Sequence, residues 1–188
     1  TYGIFVNEQG QRFVNEDVYL ARLGHFAVQQ SGGRIFMFID NRHFDRPAYL
    51  QVDIVAVGES VAEVEAEAGF PEGALQHTVD FYNRHAALGQ DPLFHKAKDW
   101  LMPLDSGPFA LVSYALDQIR PPVFTLGGLE ARPTGEVLRP DGSEIPGLYA
   151  AGRTVAGIPR TSAGYASGMS VADVTFFGRL AGRQAAGK

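Results

Sequence analysis

The sequence predicts an α+β chain in two parts, on three observations. A strand-like aromatic run, RIFMFID over 34–40, is followed by two helix signatures between 60 and 89. Beyond Asp105 the character changes to short apolar runs, paired glycines and a proline–glycine turn. A small-residue helix pattern closes the chain from about Ser170 to Ala185. The 188 residues suffice for one ordinary domain or two small ones, and 45% hydrophobic content is typical of soluble globular chains. A net charge of −5 argues against a general grip on nucleic-acid phosphates. With no cysteine, disulfides, thiolate metal sites and a cysteine nucleophile are excluded. No apolar run approaches the roughly 20 residues that span a bilayer. The opening residues Thr1–Asn7 lack a signal-peptide layout and read as mid-domain strand, so the chain is expected to be cut from something longer. A cytoplasmic location is the expectation.

The elements follow in order. Gly3 to Val14 reads as a hairpin, with Ile4-Phe5-Val6 and Phe13-Val14 flanking the turn residues 7–10. Acidic Asn15-Glu16-Asp17 leads into a mixed stretch to Gln30, and Ser31-Gly32-Gly33 is a break. Ser60-Val61-Ala62-Glu63 is a capping box for a helix ending near Gly69. Pro71-Glu72 starts a second helix, with Leu75, Val79, Tyr82 and Ala86 on its inner face and Gly89 at its end. Phe109 to Tyr114 reads as a strand. Val137-Leu138 and Glu144-Ile145 flank Arg139–Ser143, where proline sets φ and Gly142 accepts positive φ. Leu148–Ala151 is a short buried strand that stops at Gly152.

Three segments carry candidate chemistry. In Thr125–Leu129 the paired Gly127 and Gly128 admit close approach of a flat ligand, or they form a bulge. Gly147–Arg153 is a small-residue strand ending in glycine. That suits a sheet edge crossed by a cofactor, or a buried strand with a glycine stop. In Thr161–Asp173, Gly164 and Gly168 flank a tyrosine and a serine, and Ser170 with Asp173 resembles a second capping box. The helix start there directs unpaired N–H groups at whatever precedes it, which serves a flavin edge that turns negative on reduction. The alternative is an ordinary helix start in a surface loop.

Order and spacing decide between these readings. FTLGGLEARPTGEVLRPDGSEIPGLYAAGR, a small-residue loop and GRLAGRQAA together resemble the C-terminal signature of the FAD-binding fumarate reductase / succinate dehydrogenase flavoprotein superfamily. Gly3–Asn7 and Arg12–Glu16 resemble the start of that family's cap domain, so the resemblance covers nearly the whole chain. It implies a cap (substrate) lobe over 1–105, followed over 106–188 by the C-terminal segment of a Rossmann-like FAD-binding domain. The Gly-x-Gly-x-x-Gly fingerprint of the N-terminal nucleotide-binding part is absent. Fumarate and succinate enzymes place a His-Gly-x-Asn-Arg type segment where this chain has Arg160–Tyr165, and a histidine where it has Phe124. SAGYASGMS is similar to the 3-ketosteroid Δ4-(5α)-dehydrogenase branch.

The resemblance assigns Gly127, Gly128, Ala151, Gly152, Arg153, Gly168, Met169, Ser170 and Val171 to FAD. Arg153 departs from the family's usual glutamate. The implied reaction acts on a C–C bond next to a ketone of a small molecule, with a steroid as substrate. Tyr165 is cast as the electrophile to the ketone, because a phenol is a good donor and a poor free base; Ser167 and Tyr19 form the proton relay. The alternatives are a reductase of an unsaturated acid with Arg160 as carboxylate anchor, and a fragment that is non-catalytic as isolated. The electron acceptor stays open. The five histidines lack metal spacing. Arg42, His43, Asp45 and Arg46 read as a solvated turn, and Phe94 and Trp100 as cap packing.

Overall fold

The computed structural model describes residues 2–44, 52–119, 125–159, 161–162 and 164–187, without the side chains of Leu20, Ala21 and Ile119. The chain forms two compact units, Thr1–Pro121 and Pro122–Lys188.

In the first unit four strands, β1 (Ile4–Asn7), β2 (Ile35–Asp40), β3 (Ile54–Gly58) and β4 (Phe109–Ser113), form an antiparallel sheet ordered β1-β2-β4-β3. Side chains alternate between faces along a strand, and the core divides accordingly. Ile4, Val6, Phe36, Phe38 and Leu111 bury one face against α2 (Val61–Ala68) and α3 (Ala74–Ala86). Phe5 and Ile35 bury the other against Val14 and, on α1 (Leu20–Ala27), Leu23 and Ala27. Neither α1 nor β3 stood out in the sequence. In β3, Ile54, Val55 and Val57 are exposed, so its apolar pattern is not that of a core strand. A single helical turn, α4 (Leu116–Ile119), follows β4.

The first unit runs on to Pro121 because β4 is hydrogen-bonded on both edges into its sheet. The opening hairpin is present as β1, a turn closed by Asn7 N–H to the Gln11 carbonyl at 3.0 Å, and the Val6–Arg12 bridge.

The capping box is half realised. Ser60 Oγ accepts from Glu63 N–H at 3.3 Å, but the Glu63 carboxylate accepts from Glu59 N–H at 2.9 Å rather than from Ser60. Gly69 ends α2 at φ 69°, as a C-terminal glycine does. The second helix begins at Ala74, three residues later than Pro71 suggests. Its cap comes from the preceding helix: the buried Glu65 carboxylate accepts from Gly73 N–H (2.6 Å), Leu75 N–H (2.7 Å) and Gln76 N–H (3.2 Å). Burial pushes the Glu65 carboxyl up, yet these bonds and one from the Gln76 side chain hold it below the usual range.

The turn at Arg42 and His43 is solvated on the Arg42 side, which is 39% exposed, and both residues bind the fully buried Asp40, His43 through Nδ1 at 2.9 Å and Arg42 through Nε at 3.0 Å. Asp45 and Arg46 lie outside the described residues. Phe94 packs as expected, its ring centroid 4.9 Å from the Arg12 guanidinium. Trp100 stays 42% exposed, with its ring beside Tyr2.

The second unit contains β5 (Glu136–Leu138), β6 (Glu144–Tyr149) and α5 (Met169–Ala185). The proline–glycine turn over 139–143 is present, with Gly142 at φ 80°. The strand expected to be buried at 148–151 is instead the end of β6, and Leu148 is 44% exposed. Among the described residues β6 pairs only with β5, in a two-stranded ribbon. No described helix is long and apolar enough to cross a membrane.

Candidate functional site

The site in the second unit is built on glycine and alanine backbone. Leu129 N–H donates to the Thr154 carbonyl at 2.8 Å, and Leu129 and Val155 form a parallel bridge. This close approach requires Gly128, since any Cβ there would collide with the Thr154 carbonyl. Gly152, at φ +71°, lies on α5: a Cβ would come 2.8 Å from Val174 Cγ2. Between the 128–133 segment, the end of β6 and α5 lies a cleft of about 470 Å³. Gly128, Ala150, Ala151, Gly157, Asp173 and Phe177 line it.

Asp173, which lines the cleft with Glu130 and Arg132, is paired with Arg153. Arg153 Nη2 stands 3.6 Å from Asp173 Oδ2, with the two side chains 28% and 2% exposed. Arg153 Nη1 donates to the Thr125 carbonyl at 3.3 Å. Thr125 Oγ1 itself donates to the Gly127 carbonyl at 3.0 Å.

The loop before α5 folds through backbone turns, with Tyr165 N–H bonded to the Ser162 carbonyl and Met169 N–H to the Ala166 carbonyl. Tyr165 is buried, and its hydroxyl lies 3.0 Å from Ser170 Oγ. The expected Ser170–Asp173 capping box does not form. Gly168, at φ 85°, is the N-cap, so Ser170 lies inside the helix with its hydroxyl committed to Tyr165. The helix start thus has no side-chain cap and no acidic residue in its first turn. A glycine cap leaves first-turn N–H groups for an outside acceptor.

The cofactor-assigned residues divide into two sets. Gly128 and Ala151 line the cleft, while Gly127, Gly152 and Arg153 adjoin it in sequence. Gly168, Met169, Ser170 and Val171 form the start of α5 and do not line the cleft. Of the residues assigned to catalysis, Tyr165 is buried and Ser167 exposed in this unit. Tyr19 belongs to the first unit, where it is the N-cap of α1 and 41% exposed. Ala163, Arg160 and Phe124 lie outside the described residues. Asp173 and Gly157 are cleft residues that the sequence reading missed. The available signal was a carboxylate set among the apolar residues Val171, Val174 and Phe176 of a helix. Among the described residues, no group of three His, Asp or Glu side chains is placed to hold a metal ion.

A cleft of backbone and small side chains, beside a helix start with open amides and with one buried acid–guanidinium pair, defines a receptor for a ligand with a flat face and a polar arm. The chain belongs to the FAD binding domain family, which residues 3–168 match. The residues present fit that cofactor: glycine and alanine line much of the cleft, and the open helix start offers donors.

Among solved structures, 3-ketosteroid-Δ4-(5α)-dehydrogenase from Rhodococcus jostii RHA1, in complex with 4-androstene-3,17-dione, is 42% identical. The match has a TM-score of 0.80 and covers 98% of this chain and 38% of that one. NADH:acrylate oxidoreductase of Vibrio harveyi is 31% identical over 97% of this chain and 18% of its own length. 3-Oxo-5-alpha-steroid 4-dehydrogenase of Comamonas testosteroni is 30% identical over 80% of this chain and 32% of its own length. The chain therefore spans well under half the length of these three relatives.

Proposed function

We propose that this chain is the C-terminal part of a flavin-dependent oxidoreductase acting on a CH–CH bond next to a ketone, a 3-ketosteroid dehydrogenase. The observation that carries this reading is the 42% identity to the Rhodococcus steroid enzyme across 98% of the chain. In this reading residues 1–105 are the cap lobe that meets the substrate, and 106–188 belong to the FAD-binding domain.

When bound, the flavin supplies hydride exchange with the substrate's β-carbon. The chain's own residues do the rest. The Tyr165 hydroxyl donates to the ketone oxygen, which makes the α-proton easier to remove. Ser170 Oγ, 3.0 Å away, donates in turn to Tyr165 Oη and holds the phenol in place. Ser167 and Tyr19 carry the α-proton. A reductase of an unsaturated acid is the second reading, favoured by the 31% identity to the acrylate enzyme.

The test is Tyr165→Phe in the flavin-loaded enzyme. Turnover of a 3-ketosteroid should fall by about 10²–10⁴-fold with flavin content unchanged, the size expected for losing one acid–base or oxyanion donor. Full turnover in the variant removes the electrophile and with it the ketone reading. Loss of flavin places Tyr165 in the structure of the cofactor site instead.

A further inference from the structure

The Arg153 guanidinium is turned into the protein. Its Nη1 donates to the Thr125 carbonyl at 3.3 Å, and its Nη2 pairs with Asp173 Oδ2 at 3.6 Å. Nε and Nη2 are both buried. The guanidinium lies on the backbone of Gly157, where any Cβ would collide with Nη2 and come 3.0 Å from Asp173 Oδ2. Gly157 also has φ +68°, so its conformation and its neighbour both require glycine. Gly157 and Asp173 belong to the wall of the cleft, and Arg153 stands behind them. One planar group thus touches three segments: the residues before Gly127, the 152–157 turn and α5. The first two also meet directly, where Leu129 N–H donates to the Thr154 carbonyl at 2.8 Å.

We infer that Arg153 is a positioning residue of the cofactor site: it holds the Gly127–Gly128 loop and the 152–157 turn on α5 without itself touching the flavin. The inference rests on the flavin reading of the site. Paired glycines have no side chains to fix them, so they keep one conformation only where something outside grips their backbone. Thr125 provides that grip, its carbonyl accepting from Arg153 and its Oγ1 donating to the Gly127 carbonyl at 3.0 Å. Asp173 fixes the guanidinium in turn, because a buried charge stays where its counter-charge lies. The pair also accounts for the departure at position 153. The family's usual glutamate would set a second carboxylate against Asp173, whereas arginine matches its charge. Arginine suits the place better than lysine, since its planar fork serves two acceptors at once.

The test pairs backbone-amide hydrogen exchange, measured by NMR on the flavin-free 188-residue chain, with FAD affinity measured on the flavin-loaded enzyme. Arg153→Met should speed exchange of the Leu129 and Val155 amides by about tenfold or more, while the amide of buried Ala181 on α5 keeps its rate. The same substitution should weaken FAD by about tenfold. Arg153→Lys keeps a cation against Asp173 and loses the second arm to Thr125, so it should loosen Leu129 less than methionine does. It also serves where the methionine variant fails to give a dispersed spectrum. Unchanged exchange in both variants overturns the inference; if FAD is lost all the same, Arg153 is a cofactor ligand and the flavin reading stands. Faster exchange with FAD bound as tightly as before overturns it too, because the clasp then does not shape the site. An unsubstituted enzyme that binds no flavin removes the flavin reading itself.

Discussion

Replacing Arg12 by methionine tests the reasoning about what holds the first unit together. Arg12 joins two buried carboxylates: Nε and Nη2 donate to Glu16 at 3.0 and 2.7 Å, and Nη1 and Nη2 to Asp91 at 3.1 and 2.9 Å. The side chains of Arg12, Glu16 and Asp91 are 3%, 0% and 2% exposed. The guanidinium lies between the rings of Tyr82 and Phe94, at 5.0 and 4.9 Å. Methionine keeps the packing and strands two carboxylates. Breaking a buried pair by removing one partner costs about 3–5 kcal/mol. The lower end is expected, because Glu16 keeps Lys96 at 3.6 Å and Asp91 keeps three backbone amides.

The single tryptophan, Trp100, lies in this unit, so urea unfolding followed by its fluorescence reads the change. The pH dependence adds a second check. Burial alone raises the Asp91 carboxyl, but hydrogen bonds and charge from Arg12, with backbone amides, hold it below the usual range. In the parent chain its contribution is therefore present above about pH 4 and lost as pH falls through the lower folded value. In the variant burial dominates and the carboxyl protonates more readily, so the stability gap narrows as pH falls from 7 to 3. A loss under about 1 kcal/mol at pH 7, or a gap that widens in acid, refutes the account.

Three further outcomes follow from the same structure. Glu65→Gln should destabilise the first unit by about 1–3 kcal/mol by weakening the cap of α3. Because the Glu65 carboxyl is held low, that difference should be full at neutral pH and fade below about pH 4 in urea titrations. The 188-residue chain should bind FAD weakly or not at all, because affinity for a dinucleotide also needs a diphosphate-binding glycine turn that its sequence lacks. A sub-micromolar constant by calorimetric titration contradicts this. Ser170→Ala in the flavin-loaded enzyme should slow turnover less than Tyr165→Phe does, since it removes a partner of the phenol and leaves the phenol itself; steady-state rates on a 3-ketosteroid decide.

The sequence by itself determined the elements whose signals are local. Strand β2 is a short aromatic run, Ser60 and Gly69 bracket α2 by cap chemistry, and the inner face of α3 follows the helical period. The 139–143 turn needs only proline and glycine in their places. The family was legible for a related reason: its glycines sit where backbone must approach backbone or ligand, and their order along the chain survives without any contact being known. Only the tertiary structure decided what pairs across the chain. Arg12 meets Asp91 across 79 residues, and Glu65 caps a helix it does not belong to. Tyr165 and Ser170 are close in sequence, yet their bond depended on the helix starting at a glycine cap rather than at the serine. Asp173 read as half of a capping box, but a carboxylate's partner is set by what packs around it. Here that is Arg153, brought to it by the fold.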